Sequence, residues 1–234
     1  MTLRENLQRI KERMAAAAAR AGRDPASITL VAVSKTQPVE AVIEAYQQGV
    51  RHFGENRVEE ANAKVPAFKQ TVRDQAVAFH MIGHVQSRKA AEVAVLFDRV
   101  HSIDSVKLAQ RLDRSAAANH KVLPVFLEVN VSGEESKYGF ASGRRAELVS
   151  AVQTIAQLPN LKLDGLMTMA PIVDRPDQAR PVFRSLRELR DEIESILKIQ
   201  LPHLSMGMTD DFEVAIEEGA TLVRVGRAIF GELN

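Results

Sequence analysis

No cysteine occurs among the 234 residues. That excludes disulfides, thiolate nucleophiles and thiolate metal ligands, and leaves the compartment open. No apolar run approaches the ~18 residues needed to cross a bilayer. A charge excess is missing too: 31 Lys and Arg stand against 30 Asp and Glu, a net +1. Such a chain has no overall field for a polyanion, so no nucleic-acid partner is expected. Arg144-Arg145 reads as a solvated helix face, and a pI near 8.1 does not alter this. Repeats and Pro/Gly/Ser-rich linkers are absent, so one domain over 1–234 is expected. The first residues lack the apolar core of a signal peptide. Glu5 and Glu12 argue against a transit peptide. Thr2 and Glu5 have capping-box spacing, and Leu3, Leu7, Ile10 and Met14 fall on one stripe, which predicts a native helix. The expectation is a cytoplasmic protein that does not enter membranes.

What the chain does contain is an ordinary globular composition, 45% hydrophobic and 26% charged, and a recurring unit. A short β-branched apolar run leads into a polar turn and then an amphipathic helix. Eight runs qualify: Thr29–Val33, Arg51–Gly54, Ala78–Ile82, Arg99–Ile103, Val122–Val131, Lys162–Met167, His203–Ser205 and Leu222–Val225. Helical patterns lie between them at Val39–Gln48, Arg57–Phe68, Ser87–Leu96, Val106–Ala118, Arg145–Gln157, Arg180–Leu197 and Asp211–Glu218. Pro38 at a helix start and Gly49 and Gly219 past helix ends punctuate them. Alternation of this kind implies βαβ units and a parallel sheet. Eight units in this length predict a single (β/α)8 TIM barrel with an extra N-terminal helix, an open doubly wound sheet being the alternative.

In parallel α/β folds ligands gather at the carboxyl ends of strands. Polar residues sit there: Lys35 after the first strand, Glu55-Asn56 after the second, Gly83-His84 after the third, Asp104 after the fourth, Asn130 near the end of the fifth, Ser205 at the end of the seventh, and Gly226-Arg227 after the eighth. His80, inside the third strand, reads as structural. A lysine such as Lys35 either snorkels at the strand end or offers an amine to a carbonyl, because desolvation and neighbouring cations free such an amine. Ser205 offers a hydroxyl and Gly207 a close backbone approach. Thr209 is a credible helix N-cap, and Gly226-Arg227 opens a last helical turn. Loops after strands seven and eight form the usual phosphate site of this fold; tight turns that need glycine are the alternative. Arg224 stands among Leu222, Val223 and Val225. It pairs with a helix carboxylate outside, or points into the barrel and needs an acceptor such as a ring nitrogen. Asn56 meets a ligand oxygen or caps a helix.

Stretches along nearly the whole chain resemble the YggS/PROSC family of pyridoxal 5′-phosphate (PLP) homeostasis proteins. They are Ala32–Thr36, His52–Asn56, His80–Gly83 with Gln86–Lys89, Gly165–Met169, Leu204–Met208 and Val223–Gly231. The resemblance implies a barrel like the alanine racemase N-terminal domain. It implies PLP held as a Schiff base on Lys35, Arg224 facing the pyridine nitrogen, and phosphate held by Gly226-Arg227 and the Ser205–Met208 turn. Three positions depart from many members: His84-Val85 replaces Pro-Leu, Arg227 replaces threonine, and Arg88 replaces asparagine.

A carboxylate opposite the ring nitrogen would make PLP a strong electron sink; an arginine, which cannot give up its proton, keeps the sink weak. Neither Tyr46 nor Tyr138 matches the second base of a racemase. The expectation is therefore a non-enzymatic PLP carrier in intracellular vitamin B6 homeostasis, a monomer that serves PLP-dependent apoenzymes as acceptors. The alternatives are a PLP-dependent amino-acid racemase or lyase, and a Schiff-base aldolase acting on a phosphosugar.

Overall fold

A computed structural model describes residues 1–134 and 138–231. The chain opens with α1 (Leu3–Arg20), capped by the reciprocal Thr2–Glu5 box. There follow β1 (Thr29–Val33), α2 (Val39–Gln47), β2 (His52–Glu55), α3 (Val58–Thr71), β3 (Ala78–Met81), α4 (Ala90–Leu96), β4 (Arg99–Ile103), α5 (Val106–Ala118) and β5 (Leu123–Asn130). A two-residue strand, β6 (Phe140–Ala141), precedes α6 (Arg145–Ala156), β7 (Leu161–Met167), α7 (Arg180–Leu197), β8 (His203–Ser205), α8 (Phe212–Glu217), β9 (Leu222–Val225) and α9 (Arg227–Phe230). Parallel pairing runs β1-β2-β3-β4-β5-β7-β8-β9, and β9 pairs back onto β1, closing an eight-stranded barrel. The expected TIM barrel is the observed one, and closure excludes the open sheet.

Strand and helix limits fall within a few residues of the expected ones. Three details differ. β6 pairs with the end of β5 outside the ring, and two residues are too short to announce themselves in sequence. The Ser87–Leu96 helix begins as a 3-10 turn over Ser87–Lys89. Asp211, not Thr209, takes the N-cap position of α8, and its carboxylate accepts from the Met208 N–H at 2.6 Å.

Two apolar layers follow from strand periodicity. Outward residues of the strands and inward faces of the helices form the large layer, with Phe53, Phe79, Val223 and Val225 among them. Inside the barrel the apolar cluster is small: Val31, Phe126, Met167 and Leu222. Polar side chains share that interior, and His80, His101 and Ser205 are fully buried. Close approach of two strands explains one glycine. A Cβ on Gly165 would lie 1.9 Å from the His203 carbonyl oxygen, so only glycine lets β7 and β8 pair there.

Candidate functional site

Lys35 leaves the carboxyl end of β1 and is exposed. The residues on either side of it are pinned. Ser34 is buried and donates to Glu55 Oε1 at 2.7 Å, while Lys64 Nζ from α3 donates to the Ser34 carbonyl at 2.7 Å and to Glu55 Oε1 at 2.8 Å. Thr36 has φ 63, in the left-handed region, and its N–H donates to Glu60 Oε2 at 2.8 Å. The turn carrying Lys35 is thus held from both sides while its amine stays free among the described residues. Glu55 faces the helix layer rather than the mouth. Burial pushes its carboxyl up, and the Lys64 and Ser34 hydrogen bonds pull it back. Asn56, next in sequence, has a buried Oδ1 without a hydrogen-bond partner.

β9 lies beside β1, with Val31 opposite Arg224 and Ala32 opposite Val225. This register places Gly226 against Val33, where a Cβ would meet the Val33 carbonyl at 3.0 Å. Arg224 points into the barrel and is only 4% exposed. Its Nη1 donates to Ser205 Oγ at 2.6 Å and its Nη2 to the Thr168 carbonyl at 3.0 Å. Burial lowers the guanidinium to about 10, and Asp211 and Glu128 oppose that shift. Two of its N–H groups are thereby used, and a guanidinium has five.

The turns after β8 and β9 are both formed, and the side chains they carry are engaged within the protein. Ser205 lies in the wall behind Arg224, and its hydroxyl is occupied by Arg224 and by His101 Nδ1 at 2.8 Å. Gly207 has φ 92, and a Cβ there would stand 2.6 Å from Ala215 Cβ, so packing against α8 requires this glycine. Arg227 is exposed and pairs with Asp210 at 2.6 Å, so its charge is engaged within the protein. His80 is buried in the interior as expected for a structural histidine.

Glu128 escaped notice in the sequence. It is 3% exposed and joins no hydrogen bond or ion pair among the described residues. Its register partners explain where it points: Glu128 lies opposite Met167, and Met167 opposite Ser205, so all three face the barrel interior in one row beside Arg224. Burial, reinforced by Asp104 and opposed by Arg224, raises its carboxyl to about 7. The alternation of Phe126, Leu127 and Glu128 was the available signal. Tyr46 sits far from this mouth, bonded through its hydroxyl to Asp74 Oδ2 at 3.0 Å. Tyr138 stacks on His84, which contacts Asp104 Oδ2 at 3.1 Å.

Residues 4–234 match the family model described as alanine racemase, N-terminal domain. The chain is 44% identical over 228 residues to a pyridoxal phosphate homeostasis protein of Aquifex aeolicus, covering 97% of each chain. It is 45% identical over 231 residues to that of Pseudomonas aeruginosa, covering 98% of this chain and 95% of the relative. Among solved structures, PipY of Synechococcus elongatus PCC7942 with PLP bound aligns with TM-score 0.81 at 36% identity, over 95% of this chain and all (100%) of that one. An alanine racemase of Clostridium difficile 630 in complex with cycloserine aligns with TM-score 0.75 at 15% identity, over 99% of this chain and 60% of that one, a likeness of fold alone. With its barrel fold and nearly its full length matched by these relatives, the chain belongs to the pyridoxal phosphate homeostasis proteins within the alanine racemase N-terminal domain family.

Proposed function

We propose that this protein holds PLP at the barrel mouth, with Lys35 as the Schiff-base lysine, and that it stores or delivers the cofactor rather than turning over a substrate. One observation carries the reading: β1 and β9 are paired neighbours, so the free amine of Lys35 and the buried guanidinium of Arg224 share one edge of the mouth. The donor set suits PLP. The amine serves the aldehyde, the unused Arg224 N–H groups suit a ring nitrogen held as an acceptor, and the backbone N–H groups that open α9 at Gly226 and Arg227 suit phosphate oxygens. The turn from Ser205 through Gly207 closes the other side of that phosphate site, and Asn56, with its unpartnered oxygen, borders the mouth. Bound PLP supplies an electron sink, which a purely donating arginine keeps weak. The protein acts as a monomer of one domain in the cytoplasm, with PLP-dependent apoenzymes as acceptors.

Purified protein should absorb in the visible range, and borohydride should fix PLP to the peptide containing Lys35. Equal covalent trapping by Lys35→Ala would end this reading. Glu128 favours a second one, slow proton exchange at an amino-acid Cα, because its carboxyl changes charge near neutral pH inside the same mouth. Solvent deuterium entering amino acids with the parent protein, and not with Glu128→Gln, would support it. No exchange above the rate given by free PLP would remove it.

A further inference from the structure

Behind Arg224 the barrel interior holds a continuous line of side chains from separate strands. Ser205 Oγ contacts His101 Nδ1 at 2.8 Å, His101 Nε2 contacts His80 Nδ1 at 2.9 Å, and His80 Nε2 contacts His52 Nδ1 at 3.0 Å. His52 begins β2 at the amino end of the barrel and is partly exposed, whereas Arg224 lies at the carboxyl end. The line therefore runs through the barrel from one end to the other.

Its direction follows from donor chemistry. A guanidinium only donates, so Ser205 Oγ accepts from Arg224. Ser205 is fully buried, and among the described residues the one remaining partner for its proton is His101 Nδ1. A buried hydroxyl proton left unpaired costs about 1–3 kcal/mol, which settles the hydroxyl as the donor. His101 is then neutral with its proton on Nε2, and donates to His80. By the same step His80 carries its proton on Nε2 and donates to His52. Every link points away from the mouth.

We propose that Ser205, His101, His80 and His52 form a one-way relay that fixes the pose of the Arg224 guanidinium, and that these four are positioning residues of the cofactor site. Arg224 sets the order of the relay, and the relay in turn holds Arg224 in one rotamer. Other charged groups border the line: Arg99 with Asp164 on β4 and β7, His203 on β8, and Glu128 on β5. None of them hydrogen bonds to a member of the relay among the described residues. The inference rests on the reading that Arg224 faces PLP, so the test has an arm that needs no cofactor.

In protein carrying 15N-labelled histidine at pH 7, without added PLP, nitrogen-15 spectra should show His80 and His101 neutral and protonated on Nε2. A protonated Nδ1 on either would overturn the relay. Arg224→Leu removes the group that sets the direction, so both tautomers should then appear at His101; an unchanged single tautomer would also overturn it. The far end tests positioning. His52→Leu leaves His80 without its acceptor and should raise the Kd for PLP about threefold to tenfold, whereas His52→Gln, whose side-chain oxygen can accept, should stay within about twofold of the parent. Equal affinity in both variants and the parent, or equal loss in both variants, would refute the positioning role. A parent protein that binds no PLP but shows the expected tautomers would fail the cofactor reading and leave the relay standing.

Discussion

Burial moves Glu128 and the interior histidines in opposite senses, and the two effects can be separated by pH. The Glu128 carboxyl rises from its ordinary 4.5 to about 7. Its contribution to stability is therefore complete below about 4.5 and is lost as pH rises through about 7. At about 1.4 kcal/mol per tenfold change in proton affinity, the cost at pH 8 is on the order of 3 kcal/mol. Glu128→Gln should be more stable than the parent at pH 8, and the gap in urea midpoint should close by pH 4.5. A gap that does not change with pH would contradict this. His80 and His101 are held well below the ordinary histidine value of 6.5, first by burial and then by neighbouring imidazoles and arginines. Their contribution is complete above about 6.5 and is lost as pH falls below it. In the Glu128→Gln background the urea midpoint should fall from pH 7 to pH 5; a flat or rising midpoint would mean that these rings already carry protons at neutral pH.

Elements depend on a few positions where the backbone has no alternative. Gly165 must stay glycine because the His203 carbonyl occupies the space of a Cβ. Gly165→Ala should cost about 3 kcal/mol or more, since it forces β7 and β8 apart. Gly22 has φ 64 with nothing near a Cβ, so Gly22→Ala should cost only about 1 kcal/mol from backbone strain. Equal losses in thermal or urea unfolding would mean that steric contact is not the cause at Gly165. α1 shows a similar division. Its Leu7, Ile10, Met14, Ala17 and Ala18 are buried against the barrel layer. Ile10→Ala should cost about 2–5 kcal/mol, and Thr2→Ala, which removes only the cap, about 1 kcal/mol. Each element of the barrel proper was readable because its periodicity and punctuation agree. β6 and the 3-10 start before α4 were not, since short irregular pieces have no period to read.

For the whole molecule, ring closure makes the mouth a shared surface of all eight strands, so a ligand there should stabilise the entire barrel. At PLP concentrations near one hundred times Kd, unfolding should require about 2.7 kcal/mol more free energy. Lys35→Ala should lose most of that gain while unfolding like the parent without PLP. An undiminished PLP effect in the variant would detach cofactor binding from Lys35. No helix among the described residues is long and apolar enough to cross a membrane. Exposed large apolar side chains such as Val95, Val122, Ile172 and Ile196 belong to separate segments. Light scattering should accordingly give a mass near 25.8 kDa with and without PLP; a stable dimer would refute the proposed monomer.

The sequence alone determined the eight alternating strand and helix units, the extra first helix, and which strand ends carry polar groups, because these follow from periodicity and local turn chemistry; closure of the ring was decided by the β9–β1 pairing. It also placed Lys35 at a strand end and marked Arg224 as an arginine that needs a partner. Tertiary structure decided which partner. Register turned Arg224 inward to Ser205 and Thr168, aimed Glu55 at Lys64, and paired Arg227 with Asp210. It also aligned His52, His80 and His101, which lie 28 and 21 residues apart. Such contacts join different elements of the fold. They depend on ring closure and on which face each strand presents, and no local pattern records either.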